Sequence, residues 1–227
     1  MRIELDFAAV LAEWPLLLTG VGWTLALTTA SVLVGTVVGT ACAWVRARGF
    51  GAGLAPAWLR RIVGAYVELI RNTPFIVQLF FIFFGLPAMG VKVSAEWASV
   101  IAMVINLGAY ATEIIRAGLE ATPKGQMEAA QSLALTRRQV FVWVVLPPAL
   151  KKVWPSLVSQ IVIVMLGSSV CGQISTQELS YAADLIQSRN FRSFESFIVV
   201  GAIYLLLAVA TRQLLNWAGA RFVFGRR

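Results

Sequence analysis

The chain has 227 residues, of which 59% are hydrophobic and only 13% are charged. A soluble domain has roughly 45–50% apolar residues, so this composition excludes water as the main solvent. The formal net charge is +8, but the basic residues lie beside apolar stretches, which indicates orientation in a membrane and excludes a nucleic-acid surface. The two cysteines, Cys42 and Cys171, lie in or beside apolar stretches. Their number and spacing exclude a disulfide framework and a metal-ligand cluster, so we interpret both as buried small residues.

Apolar residues cluster in stretches near the ~20 residues that an α-helix needs to cross a ~30 Å hydrocarbon core. We predict an all-α integral membrane protein of about five transmembrane helices, forming a single domain over residues 1–227. The spans are expected near 17–44, 70–90, 97–117, 153–172 and 196–217. Polar residues (Glu68, Arg71 and Asn72) precede the apolar part of the second span, so a shorter amphipathic segment before it is an alternative.

Basic residues flank the spans unevenly, and short loops rich in Lys and Arg are retained in the cytoplasm. Most of the 19 basic residues follow the first, third and fifth spans: Arg46, Arg48, Arg60, Arg61, Arg116, Lys124, Arg137, Arg138, Lys151, Lys152, Arg212, Arg221, Arg226 and Arg227. The opposite loops hold Arg2, Lys92, Arg189 and Arg192, offset by Glu4, Asp6, Glu13, Glu96, Glu178, Asp184 and Glu195. We expect the N-terminus outside, without a cleaved signal peptide, and the C-terminus in the cytoplasm.

Two short-range patterns within the spans have a structural and a functional interpretation. Gly35-x-x-x-Gly39 in the first span lets helices approach closely, and packing within the bundle is favoured over a dedicated dimer contact. Glu113 and Arg116 are three residues apart near the end of the third span. We interpret them as a structural ion pair rather than a ligand site.

The longest segment between spans, residues 118–152, is too polar to insert and too apolar to be disordered. Thr122-Pro123 can supply an N-cap followed by proline at the first helical position, and helix formers continue from Gln126 to Leu135. Thr136-Arg137-Arg138-Gln139 fits a capping box that opens a second short helix. We expect two short helices joined at a bend.

Within this loop, Glu128-Ala129-Ala130 is followed after three residues by Ala134 and after nine more by Val144-Val145-Leu146-Pro147. This resembles the EAA loop of ABC importer permeases, whose pattern is E-A-A, three residues, G, nine residues, I-x-L-P. The resemblance implies a cytoplasmic coupling helix that docks into the ATPase subunit, with Glu128 beside a flat area formed by Ala129 and Ala130. The candidate ATPase-coupling residues are Glu128, Ala129, Ala130, Ala134, Leu146 and Pro147.

Further segments resemble the polar amino acid permeases, of the histidine, glutamine, arginine and glutamate type. They are Glu68-Leu69-Ile70-Arg71-Asn72-Thr73-Pro74 with Val77-Gln78-Leu79-Phe80-Phe81, Asn106 to Leu119, and Pro123-Lys124-Gly125-Gln126; Leu166 to Val170 and Glu178-Leu179 match more weakly. Leu166 and Gly167 stand where relatives usually have lysine and aspartate. Relatives are also apolar at Gln173, Ser175, Thr176 and Gln177.

This resemblance implies the permease subunit of an ATP-driven importer in the bacterial inner membrane, translocating a polar amino acid or close analogue. The implied partners are ABC ATPase subunits, a second permease subunit (identical or not), an extracytoplasmic amino-acid-binding protein and membrane lipid, with no nucleic acid. No G-x-x-x-x-G-K-S/T loop occurs, so ATP and Mg²⁺ are expected on the partner ATPase, with no cofactor in this chain. No catalytic constellation indicates an enzyme.

Intramembrane polar residues are candidates for a substrate path: Gln78, Asn106, Ser168 and Ser169. Each has the alternative role of an interhelical hydrogen bond. A proton- or ion-coupled secondary amino acid transporter is the alternative function. It would need carboxylates near the membrane midplane and repeated spans, whereas the acidic residues here cluster near span ends and loops.

The charge distribution predicts the topology directly. A reporter that is active only in the cytoplasm should be active when fused after Arg227 and inactive when inserted near Gly90, and a reporter that is active only outside should give the opposite result. Activities with these two positions exchanged would contradict the predicted orientation.

Overall fold

The computed structural model describes residues 5–47 and 55–224, and all regular structure in this part of the chain is helical. Five residues of the orientation argument (Arg2, Glu4, Arg48, Arg226 and Arg227) lie outside the described residues. The helices are α1 (Ala8–Leu11), α2 (Trp14–Arg46), α3 (Ala57–Arg71), α4 (Phe75–Ala88), α5 (Ala95–Glu120), α6 (Lys124–Ser132), α7 (Arg137–Ile174), α8 (Leu179–Asn190) and α9 (Ser193–Val223).

Among the described residues, α2, α5, α7 and α9 are each long and apolar enough to cross a membrane. A fifth span is present if α3 and α4, separated by Asn72–Pro74, count as one broken span. The predicted fold class, an all-α membrane protein of about five spans, is therefore confirmed. α3 is the amphipathic segment that the polar residues before the second span indicated.

Two spans contain π turns immediately before proline. In α4 the π turn Phe81–Gly85 precedes Pro87, and in α7 the π turn Val140–Val145 precedes Pro147 and Pro148. Proline has no N–H, and its ring clashes with the carbonyl four residues earlier, so a wider turn lets the helix continue past it. Because α7 continues from Arg137, the predicted second short helix is wrong as a separate element. It is the first turn of the fourth span.

The chain divides into two compact units, and the first comprises the described residues of 1–31, 74–103 and 162–211. Its apolar core contains Val10, Leu17, Leu179, Ala183, Ile186 and Val200. Gly20 of α2 lies against the start of α8, since a Cβ at Gly20 would stand 2.8 Å from the Cα of Leu179. The Thr24 hydroxyl accepts a 3.3 Å hydrogen bond from the Leu179 N–H, which fixes this contact.

The second unit comprises 32–73, 104–161 and the described residues from 212 onwards. Here α2 packs on α5 through small residues, because Gly35 faces Leu107 and a Cβ at Gly39 would stand 2.5 Å from the Cβ of Ala111. The interpretation of Gly35-x-x-x-Gly39 as packing within the bundle is confirmed.

The other helices of the second unit join in the same way. Gly108 of α5 faces the Tyr66 hydroxyl of α3, which donates a 2.7 Å hydrogen bond to the Ile105 carbonyl. Gly219 of α9 faces the Trp154 ring of α7, whose Nε1–H donates to the Leu215 carbonyl at 3.2 Å. In both places glycine lets an aromatic ring approach, and the polar group of that ring pairs with the neighbouring helix.

Gly39 and Gly22 lie on the same helix but in different surroundings, since no atom lies within 4 Å of a Cβ added at Gly22. We expect Gly39→Ala to destabilise the purified chain by about 1–3 kcal/mol through overpacking. Gly22→Ala should be neutral or stabilising by up to ~1 kcal/mol, because alanine is the better helix former. Thermal unfolding in one detergent compares the two, and equal midpoints for both variants would contradict the close packing of α2 on α5.

Candidate functional site

The loop helix α6 begins at Lys124, with Pro123 at the N-cap in an extended conformation (φ −58°, ψ 136°). The predicted N-cap role of Thr122 is therefore wrong. The Thr122 hydroxyl is instead buried and has no hydrogen-bond partner among the described residues. Proline takes the cap position because its fixed φ suits it, although its side chain offers no acceptor to the first turn.

The three residues of the Glu-Ala-Ala motif differ in exposure. Glu128 and Ala129 are exposed, whereas Ala130 is only 5% exposed. The expected flat area formed by both alanines is wrong for Ala130, whose side chain faces the protein interior. The accessible surface at the motif therefore consists of the Glu128 carboxylate and Ala129.

The chain reverses after α6 through a Schellman motif. The N–H of Ala134 donates to the Gln131 carbonyl at 2.9 Å, and the N–H of Leu135 donates to the Ala130 carbonyl at 3.3 Å. Ala134 occupies the residue after the C-cap with φ +56°, a left-handed conformation that glycine adopts at much lower cost. This geometry explains why the related loop pattern has glycine at the same place, and it shows that the bend does use a positive φ.

The bend is followed at once by the capping box that the sequence predicts. The Gln139 N–H donates to the Thr136 Oγ1 at 3.4 Å, and the Thr136 N–H donates to the Gln139 Oε1 at 2.9 Å. Only Leu133, Ala134 and Leu135 therefore separate the end of α6 from the N-cap of α7. The loop helix is joined closely to a membrane span.

Leu146 and Pro147, the last two candidate loop residues, lie in α7 itself. Leu146 lines an apolar cavity of about 260 Å³ together with Trp44 of α2 and Phe141 of α7. The rings of Trp44 and Phe141 meet edge to face, with centroids 4.9 Å apart. This contact ties the beginning of α7 to the end of α2.

A cluster of four charges lies where α2 and α5 end. Glu113 accepts from Arg46 at 2.5 Å and from Arg116 at 2.7 Å, and Arg116 also donates to Glu120 at 2.6 Å. The predicted Glu113–Arg116 ion pair is confirmed. The spacing alone did not show Arg46, which is 67 residues away from Glu113 in sequence.

The four candidate path residues belong to different units. Gln78, Ser168 and Ser169 lie in the first unit and Asn106 in the second. Ser168 is fully buried, and its hydroxyl donates to the Met165 carbonyl at 2.6 Å within the same helix. Gln78 is also buried, whereas Ser169 and Asn106 are half-buried. Their role in a path stays a prediction.

Glu178 is a buried carboxylate that sequence reasoning missed. Its sequence position predicts an acidic residue of an outer loop, yet Glu178 is fully buried at the N-cap of α8. Its carboxylate accepts from the Ser180 N–H at 2.9 Å, from the Tyr181 N–H at 2.8 Å and from the Tyr204 hydroxyl. Burial raises the pKa of this carboxyl, while the three donors act in the opposite direction. Its position immediately before a helical segment is the signal that indicates a cap.

The arrangement is that of a helical membrane core with an exposed loop helix, and comparison with known proteins gives the family. Residues 47–223 match the profile of the family described as binding-protein-dependent transport system inner membrane component. The chain belongs to this family. It is therefore a permease subunit of an ABC importer, and it lacks an ATPase of its own.

Individual members of this inner membrane component family resemble the chain over most of its length. The probable glutamine ABC transporter permease protein GlnM of Bacillus subtilis (strain 168) is 37% identical over 157 residues, 69% of this chain and 73% of the relative. The arginine transport system permease protein ArtQ of the same organism is 30% identical over 91% of this chain and 92% of the relative. The crystal structure of an amino acid ABC transporter with histidines has a TM-score of 0.87 and 33% identity, covering 97% of this chain and 100% of that chain.

The described residues contain no group of three or more His, Cys, Asp or Glu side chains that could hold a metal ion. Cys171 is buried and Cys42 is half-buried, and both are free thiols.

The left-handed Ala134 generates a stability prediction. Ala134→Gly should stabilise the permease by about 1 kcal/mol, because glycine removes the cost of a Cβ at φ +56°. Ala129→Gly is the matched control in the helix interior, where the same change should destabilise by about 1 kcal/mol. Unfolding midpoints with opposite shifts are expected. Destabilisation by both changes would mean that residue 134 is helical.

Proposed function

We propose that this permease imports a polar amino acid, or a close analogue, delivered by an extracytoplasmic binding protein. The relatives named for glutamine and arginine transport support this substrate class, as does the likeness to an amino acid ABC transporter over 97% of the chain. The permease works in the bacterial inner membrane with its N-terminus outside and its C-terminus in the cytoplasm. A second permease subunit completes the pathway, and partner ATPase subunits bind ATP and Mg²⁺.

The observation that carries the proposal is the exposed loop helix beside a tight turn. Glu128 is exposed on α6 and has no ion pair among the described residues, whereas the four charges at the ends of α2 and α5 are paired with one another. Three residues separate α6 from the N-cap of α7. Because this connection is short, a displacement of α6 by a docked ATPase also displaces the start of the membrane span α7. In this mechanism Glu128 and Ala129 contact the ATPase, Ala130 and Ala134 shape the turn, and Leu146 and Pro147 anchor the start of the span.

Charge reversal at Glu128 tests this coupling. Glu128→Lys should reduce both capture of the ATPase subunit and ATP-dependent amino acid uptake at least tenfold, because a buried or half-buried charge pair at an interface is worth more than ~1.4 kcal/mol. Gln126→Lys introduces a positive charge on the opposite side of the same exposed helix and serves as the control. Membrane levels of each variant are compared by immunoblot.

Normal ATPase capture and normal uptake with Glu128→Lys would remove α6 from the mechanism. Equal losses in the Gln126→Lys control would show a general effect of charge on the loop. Uptake that stops when the ATPase subunit is deleted, and continues when the proton gradient is dissipated, distinguishes the importer from a proton-coupled transporter.

We further propose that Gln78, Asn106, Ser168 and Ser169 contribute to the substrate path. Support comes from their burial or half-burial within apolar helices, where polar residues are rare and often mark substrate pathways. Asn106 is the candidate of the second unit, and it is half-buried in the apolar helix α5, so it is the position chosen for the test.

Replacement of Asn106 should alter substrate dependence. Asn106→Leu should raise, by about tenfold, the amino acid concentration that gives half-maximal stimulation of ATP hydrolysis. The reason is that leucine cannot make a hydrogen bond to a charged group of the substrate. Gln160→Leu removes another buried amide of the same unit and should leave that concentration unchanged. The same shift in both variants would assign Asn106 to packing.

A further inference from the structure

A strongly basic cavity lies in the second unit, apart from the loop helix. It has a volume of about 560 Å³ and is lined by Arg46, Ala57, Arg60, Arg61, Arg116 and Glu120. Among the described residues, four arginines line this space and Glu120 is the one carboxylate that lines it. A cavity with this charge attracts anions, since clefts lined by one sign of charge concentrate the opposite sign.

Among the described residues, two carboxylates pair with two of the four arginines of this basic cavity. Glu113 pairs with Arg46 and Arg116, and Glu120 pairs with Arg116, so two carboxylates offset these two arginines. Arg60 and Arg61 are exposed, and neither has a hydrogen bond or an ion pair among the described residues. Two positive charges therefore remain available to a ligand.

The helix that supplies Arg60 and Arg61 also has an exposed apolar stripe. Trp58, Ile62 and Leu69 of α3 are 61%, 58% and 64% exposed, and their spacing places them on one side of the helix. Val63 and Val67 are buried on another side. A helix with separate basic and apolar sides lies at the boundary between headgroups and acyl chains. A soluble anion has no apolar part that could contact this stripe, whereas a lipid has acyl chains.

We propose that the basic cavity binds the phosphodiester headgroup of an anionic phospholipid, with the Trp58–Ile62–Leu69 stripe resting against the acyl chains. The guanidinium of arginine matches a phosphate with two parallel hydrogen bonds, and clusters of arginine beside a membrane span attract anionic lipids. The paired acids hold Arg46 and Arg116 in place at the back of the cavity, while Arg60 and Arg61 contact the phosphate. The site depends only on insertion of the chain into a membrane, and on neither the proposed substrate nor ATPase docking.

Lipid binding to the purified full-length permease tests this proposal. The chain is placed in nanodiscs of phosphatidylcholine with a minor fraction of phosphatidylglycerol, and the retained lipids are counted by native mass spectrometry after release. We expect phosphatidylglycerol to be enriched, and Arg60→Ala with Arg61→Ala to lower its affinity about 25-fold, from about fivefold per arginine near a membrane surface. Arg137→Ala with Arg138→Ala removes the same charge from an exposed pair outside the cavity and should have little effect.

A charge-preserving variant guards against a folding defect. Arg60→Lys with Arg61→Lys should retain most of the enrichment, so a loss in the alanine variant that lysine rescues assigns the effect to charge at this cavity. Unchanged enrichment in the alanine variant, or equal losses in the Arg137 and Arg138 control, would overturn the proposal.

Two other anion sources give distinct outcomes. If inorganic phosphate or free glycerophosphoglycerol displaces phosphatidylglycerol at equal concentration, the ligand is a soluble anion and the lipid assignment is overturned. If the alanine variant loses the ATPase subunits in lipid-free detergent while lipid enrichment is unchanged, the cavity is an acidic-protein contact, and the proposal is likewise overturned.

Discussion

The constraint on which this structure depends is that a backbone polar group in hydrocarbon must find its partner within the protein. Regular helices meet this requirement along most of the chain, and the prolines are the places where it is hardest to meet. At Pro87 and Pro147 the helix widens into a π turn and continues. The continuity of α7 from Arg137 to Ile174 follows from this accommodation, and with it the direct attachment of the loop helix to a span.

Once the helices exist, apolar side chains give little reason for them to associate, because lipid tails are as apolar as leucine. Close approach must supply the attraction instead. Gly35 and Gly39 let α2 meet α5, and Gly108 and Gly219 each admit an aromatic ring that donates to a neighbouring backbone carbonyl. The second unit is thus stabilised by small residues, a few hydrogen bonds and the charge cluster where α2 and α5 end.

Local patterns were predictable from sequence, and contacts between distant segments were not. The capping box at Thr136 and the Glu113–Arg116 pair depend on residues three apart, so spacing alone gave them. Arg46 joins that pair from another helix, and the burial of Ala130 and Glu178 depends on what packs against them. Hydropathy is averaged over a window of residues, which is why it predicts whole spans. For the same reason it does not reveal that a single carboxylate, Glu178, is buried as the N-cap of a helix.

The left-handed Ala134 has a consequence for the balance of loop conformations. A cost of about 1–2 kcal/mol for alanine at positive φ lowers the ratio of the bent to the straightened loop by about five- to thirtyfold relative to a chain with glycine there. The bent state therefore persists because the Schellman bonds, the buried Ala130 and the capping box outweigh this bias. A partner that straightens the turn recovers the same free energy, so an ATPase that needed the loop extended would bind this permease more tightly than a glycine-bearing relative, and one that needed it bent would bind more weakly.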